Sequence, residues 1–160
     1  MSGKAQALRA ALASSERVVV AYSGGVDSAY LAWAAHSVLG DGALAVTADS
    51  PSYPSHRRDM ALRVARTFGF SHRVITTGEM ARPEYRANPT NRCYFCKHEL
   101  YSHLTPIARE RRAVLVDGNN ADDRADYRPG RMAAREFGVQ RPLDAVGLTK
   151  DEIRVLAREA

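Results

Sequence analysis

RVVVAY (Arg17–Tyr22) runs without a break into SGGVDS (Ser23–Ser28), and this junction decides the architecture. Three consecutive valines make a short β-branched run, the pattern of a strand buried on both faces of a parallel sheet. Two adjacent glycines then permit backbone geometries closed to other residues and leave room for a ligand. A helix is expected from Asp27 to Leu39, with Leu31, Ala34, Ala35 and Val38 on one face. Successive N–H groups at such a helix start form an anion cradle, and the Ser23 and Ser28 hydroxyls can add donors. Asp27 has the wrong charge for a phosphate site unless Mg²⁺ bridges carboxylate and phosphate. The plainer reading is a tight turn in which Asp27 or Ser28 only caps the helix. The loop is not a Walker A, since no Gly-Lys-Ser/Thr follows, and G-x-G-x-x-G is absent.

Outward from this junction, strand-like and helical patterns alternate. Helices are expected over Gln6–Ser14, Ser55–Phe68, Cys93–Arg112 and Arg131–Phe137, with Gly138 as a stop. Further strands are expected at Ala43–Ala48, His72–Thr76 and Ala113–Val116. Met60, Val64 and Phe68 are expected to point inward, and Pro106 to bend or split its helix. The polar stretch from Gly78 to Arg92 reads as loop. This order predicts an α/β domain: a parallel sheet flanked by helices on both faces, a Rossmann-like three-layer sandwich. Ligands of such sheets lie beyond the carboxyl ends of the strands.

Composition narrows the class. The chain has 160 residues, 45% of them hydrophobic and 26% charged, which suits one domain with a real core rather than a disordered chain. No apolar run is long enough to span a bilayer, and the N-terminus lacks a signal peptide's continuous apolar stretch. A cytoplasmic protein is therefore expected. The net charge of +5 comes from 20 Arg and only 3 Lys against 18 acidic residues, and these charges are dispersed. Anionic small ligands fit that pattern at least as well as nucleic acid, which is not indicated.

SGGVDS after an apolar strand resembles the PP-loop ATP pyrophosphatase superfamily, with its adenine nucleotide alpha-hydrolase-like fold. Members cleave ATP between the α and β phosphates, adenylylating a substrate. The resemblance implies that Ser23, Gly24, Gly25, Val26, Asp27 and Ser28 hold the pyrophosphate part of ATP, and that backbone groups of Val46, Thr47 and Ala48 meet adenine. Asn91–Tyr101, Asp117–Gly130 and Gly147–Arg154 together look like the LarE-type branch. Those enzymes are ATP-dependent sacrificial sulfur transferases of nickel-pincer cofactor synthesis, acting on a pyridinium dicarboxylate mononucleotide. On that resemblance Asp27 and Lys97 are catalytic candidates. Asp117, Gly118 and Asn119 join the ATP site, Arg128 and Arg131 the anionic nucleotide substrate, and a homo-oligomer is expected. The family's sulfur-donating cysteine lies in a second region, so the chain is expected to be a PP-loop ATP-binding domain over 1–160, truncated before that region. The Thr149/Glu152 capping box opens a helix whose apolar stripe, Ile153, Leu156 and Ala160, is expected to lie exposed.

Residue chemistry agrees in kind and leaves alternatives. Asp122, Asp123 and Asp126 suit either a Mg²⁺ site, with Asp122 as a ligand, or helix caps and ion pairs with Arg124, Arg128 and Arg131. Planar guanidinium groups suit carboxylate and phosphate. Lys97 suits a phosphate contact or a solvated helix face. Cys93 and Cys96 form C-x-x-C, which is compatible with two ligands of a [4Fe-4S] cluster, with reduced thiols near substrate, or with zinc. A complete three-cysteine cluster site cannot form from the two thiols present. Rival functions are an NAD synthetase-like amide ligase, a tRNA thiolase, and a non-catalytic ATP- or AMP-binding module.

Overall fold

The computed structural model describes residues 3–22, 25–49, 55–76, 92–121 and 138–159, without the side chains of 55, 57, 76 and 92–99. The elements are α1 (Gly3–Ser15), β1 (Val18–Ala21), α2 (Val26–Leu39), β2 (Ala43–Asp49), α3 (Ser55–Phe68), β3 (His72–Thr76), α4 (Arg92–Arg111), β4 (Val114–Asp117), α5 (Pro142–Ala145) and α6 (Lys150–Glu159). Among the described residues, four strands form one parallel sheet in the order β3-β2-β1-β4. Gln140 adds a parallel bridge to Val116 on the outer side of β4.

The period of two along β1 builds both cores. Val18 and Val20 face a layer containing Leu8, Leu12, Leu31, Leu143 and Ile153. Val19 and Ala21 face the opposite layer, where Tyr101, Leu104 and Ala108 of α4 pack. The predicted three-layer α/β sandwich is therefore the observed one. Neighbours β2 and β4 extend from β1 in opposite directions, so the strand order reverses there. Crevices at such reversals hold ligands in open α/β sheets.

Three expectations are corrected. Met60 and Phe68 are exposed (51% and 43%), and α3 instead turns Ala61 and Ala65 inward. Small residues let α3 lie close to the sheet, where the Tyr22 hydroxyl donates to Ala61 O at 3.0 Å. Pro106 does not divide α4, which runs unbroken through it. Proline removes a single N–H, and the helix continues on both sides of the missing bond. The described part of the α6 stripe is not exposed either: Ile153 is fully buried and Leu156 packs against the same core, while Ala160 lies outside the described residues. A ten-residue helix is marginal alone, and burying one Ile supplies ~1.5–3 kcal/mol. The helix expected at Arg131–Phe137 and nearly all of the 78–92 loop lie outside the described residues.

A small polar knot ties the carboxyl ends of β1, β2 and β3. The Thr47 hydroxyl donates to Tyr22 O at 3.0 Å and lies 2.7 Å from His72 Nε2. A hydroxyl has one proton, so both contacts are met when His72 Nε2–H donates to Thr47. Tyr22 stacks edgewise on His72 and Phe70. Burial disfavours the imidazolium and lowers the His72 pKa below its ordinary 6.5. The folded chain therefore binds fewer protons here than the unfolded chain. This contribution to stability is complete above about pH 6.5 and is lost as pH falls below it. His72→Gln keeps a donor for Thr47 but does not titrate. Urea midpoints measured between pH 7.5 and 5 should fall more steeply in the wild type than in His72→Gln, and parallel slopes would contradict this account.

Candidate functional site

The α2 N-terminus opens onto the crevice at the carboxyl ends of β1 and β4. Its N-cap is Gly25 (φ −76°, ψ 166°), which brings no side-chain oxygen to the first turn. Ser, Thr, Asp or Asn usually supplies that acceptor. A helix start so arranged suits an external anion. Across the crevice, Gly118 follows β4. A Cβ there would sit 2.9 Å from both the backbone N and the Cα of Ser28. Glycine is required by this close approach, not by a turn with positive φ.

Asp27, in the first turn of α2, is the chemical centre of the described crevice. Its Oδ2 accepts Asn120 Nδ2 at 2.8 Å and Lys150 Nζ at 3.1 Å. Its Oδ1 is buried and has no hydrogen-bond partner among the described residues. The side chains of Lys150 and Asp27 are 38% and 17% exposed. A buried carboxylate oxygen without a donor costs roughly 1–3 kcal/mol or more. Such an oxygen is a ready ligand for a cation. Among the described residues, no group of three or more His, Cys, Asp and Glu could hold a metal on its own. Among the described residues a cation at Asp27 would find one carboxylate, and Mg²⁺ is commonly held by one or two carboxylates together with phosphate oxygens and water. The residues present fit that ion.

The end of β4 is shaped from within. Asp117 is 4% exposed. Its Oδ1 accepts Asn119 N at 3.0 Å, and its Oδ2 accepts Tyr101 OH at 3.0 Å and Asn119 Nδ2 at 3.2 Å. Burial, then the Asp117 charge and hydrogen bond, raise the Tyr101 pKa, so the phenol keeps its proton. On the other side, β2 continues past Val46, the last residue paired with β1. Val46 O accepts Tyr22 N at 3.0 Å, and the Thr47 hydroxyl is engaged in the knot described above. Ala48 pairs with Ile75 of β3 and has no β1 partner in the register.

The structure thus brings together Gly25, Val26, Asp27, Ser28, Gly118 and Asn120 around the β1–β4 crevice. Ser23, Gly24, Asp122, Arg128 and Arg131 lie outside the described residues. Cys93, Cys96 and Lys97 fall in the first two turns of α4, with side chains outside the described set. Two contributors carry no assigned partner in the sequence reading. Lys150 is 123 positions from Asp27, and Tyr101 closes the β4 end. One signal for Lys150 was available: a lysine is conspicuous where 20 of 23 basic residues are Arg.

Comparison with known proteins adds family context. A model of the asparagine synthase family matches residues 5–88. An uncharacterized protein of Synechocystis sp. is 43% identical over 159 residues, covering 99% of this chain and 59% of that protein. The pyridinium-3,5-bisthiocarboxylic acid mononucleotide synthase of Lactiplantibacillus plantarum is 34% identical over 161 residues, covering 99% of this chain and 58% of the synthase. The chain thus spans little more than half the length of these relatives. The solved structure of NMN synthetase from Francisella tularensis is similar at a TM-score of 0.74 and 20% identity, over 98% of this chain and 68% of that one. That likeness shows the fold.

The Gly118–Ser28 contact makes a direct prediction. In Gly118→Ala the added methyl meets backbone, which cannot rotate away. Unfolding free energy should fall by ~1–3 kcal/mol as the α2 N-terminus is pushed back. Urea denaturation measures this, and an unchanged midpoint would refute the close approach.

Proposed function

We propose that this chain, which belongs to the asparagine synthase family of PP-loop domains, binds ATP with Mg²⁺ in the β1–β4 crevice and adenylylates a carboxylate. The substrate is a pyridinium dicarboxylate mononucleotide, and adenylylation is the activating step of an ATP-dependent sulfur transfer. The observation that carries the ATP reading is Asp27, with one oxygen held by Asn120 and Lys150 and the other without a partner at an uncapped helix start. The 34% identity with the L. plantarum synthase supports the substrate class.

In this reading a substrate carboxylate oxygen attacks the α-phosphorus of ATP. The bond from the α-phosphorus to the α–β bridging oxygen breaks, and pyrophosphate leaves with the negative charge. The residues from Ser23 to Ser28 and the α2 N-terminus hold the departing pyrophosphate by N–H and hydroxyl donors. Mg²⁺, when bound, offsets phosphate charge; Asp27 would hold it, with Asp122 as a second candidate. Ala48 lies where the β2 edge runs past β1, a place for adenine to meet backbone, with Val46 and Thr47 beside it. Asp117 and Asn119 shape the turn that places Asn120. Lys97 is assigned to the phosphates, and Arg128 and Arg131 to the anionic groups of the substrate. Cys93 and Cys96 are candidates for two ligands of a [4Fe-4S] cluster, the third thiol of which is not among the two cysteines of this sequence. A homo-oligomer belongs to the same reading. Among the described residues, no helix is long and apolar enough to cross a membrane.

Two measurements test this. Asp27→Asn should weaken Mg²⁺-ATP binding about tenfold or more while changing metal-free ATP far less, because an amide is a poor Mg²⁺ ligand and does not repel phosphate. Equal losses in calorimetry with and without Mg²⁺ would remove the metal role. Incubation with ATP, Mg²⁺ and the dicarboxylate nucleotide should yield pyrophosphate and an adenylylated nucleotide by mass spectrometry. Pyrophosphate released equally well without that nucleotide would reject the substrate.

A further inference from the structure

Lys150 lies at the first position of α6, yet α6 does not need it as an anchor. Ile153 is fully buried, and Leu156 and Ala157 pack on the same core. The helix start is fixed by reciprocal bonds, Thr149 N to Glu152 Oε1 at 3.1 Å and Glu152 N to Thr149 Oγ1 at 3.3 Å. Lys4 adds contacts to Glu152 Oε1 at 2.8 Å and to Gly147 O at 2.9 Å. The Lys150 ammonium places a positive charge 3.1 Å from Asp27. It does so at Oδ2, beside Asn120 Nδ2, and leaves Oδ1 without a donor.

Resting on the reading that a divalent cation enters this crevice with nucleotide, we infer that Lys150 is a resident cation that competes with the metal for Asp27. A metal ion approaching Asp27 meets a carboxylate whose charge is already offset at 3.1 Å. It also meets the repulsion of the ammonium itself. Metal alone therefore binds weakly. A metal carried by nucleotide phosphates brings part of its own coordination and needs less from the carboxylate. Lys150 in this way couples metal loading to nucleotide arrival. Asn120, which is neutral, keeps the Asp27 carboxylate oriented whether or not Lys150 stays on it.

The test is Mn²⁺ binding to the 160-residue chain, read from the electron paramagnetic resonance signal of free Mn²⁺, with and without ATP. Without nucleotide, Lys150→Met should bind Mn²⁺ about fivefold more tightly than wild type, as expected for loss of one partly exposed ion pair. Lys150→Arg, which keeps the charge, should stay within about twofold of wild type. A strut with a merely structural role predicts the opposite, a loss of metal affinity on removal. Should Lys150→Met fail to fold, Lys150→Gln carries the same expectation. Mn²⁺ affinity in the uncharged variant equal to or below wild type overturns the inference, even while wild type binds Mn²⁺-ATP. Failure of wild type to bind Mn²⁺-ATP at all overturns the nucleotide reading, and this inference with it.

Discussion

The close passage of Gly118 over the backbone of Ser28 is the constraint from which the site follows. A parallel sheet places the carboxyl ends of its strands on one edge, but it does not fix how near two loops may come. Here the absent side chain lets the β4 exit lie directly on the first turn of α2. That proximity brings Asn120, two residues on, within 2.8 Å of Asp27. A larger residue at 118 would widen the crevice and separate the amide from the carboxylate it orients.

Polar groups at the same edge divide their work. Tyr101 reaches from α4, on one face of the sheet, to Asp117, and Asp117 folds the next two residues around itself. On the neighbouring strands, Tyr22, Thr47 and His72 form a second closed set. Both sets are largely buried and satisfied, and they hold the edge rigid. Asp27 differs, since half of its carboxylate has no donor. A carboxylate oxygen left unmet beside these two sets marks a place for something from outside.

Much of this was legible in the sequence. The valine run of β1 and the Gly-Gly turn fix the central strand and the helix after it. The strand–helix alternation fixes a parallel sheet, because parallel neighbours need crossovers. Observed boundaries fall within a few residues of those expected. The failures share a cause. In α3 the large residues Met60 and Phe68 promised an inward face, but distance to the sheet decides that, and it favours Ala61 and Ala65. The α6 stripe promised exposure because its cover, α2 and its neighbours in the core, lies over a hundred residues back. Asp27 and Lys150 illustrate the limit. Each residue is visible in the sequence, yet only folding brings them within 3.1 Å.

One backbone hydrogen bond explains how both partners of Asp27 arrive together. Ala121 N donates to Leu148 O at 2.8 Å, joining the neighbour of Asn120 to a residue two positions before Lys150. Leu148 is fully buried, so this junction is anchored in the core. From there Thr149 and Glu152 cap α6 and set Lys150 as its first residue. Lys4, then the Thr149 N–H, hold the Glu152 carboxyl below the usual carboxylate range, so the box stays charged. Leu148, the capping box and Ile153 thus act as a short rigid arm from core to crevice. The orientation of the Asp27 carboxylate is thereby built from an apolar anchor, a helix cap and a single backbone hydrogen bond, none of which touches the carboxylate itself.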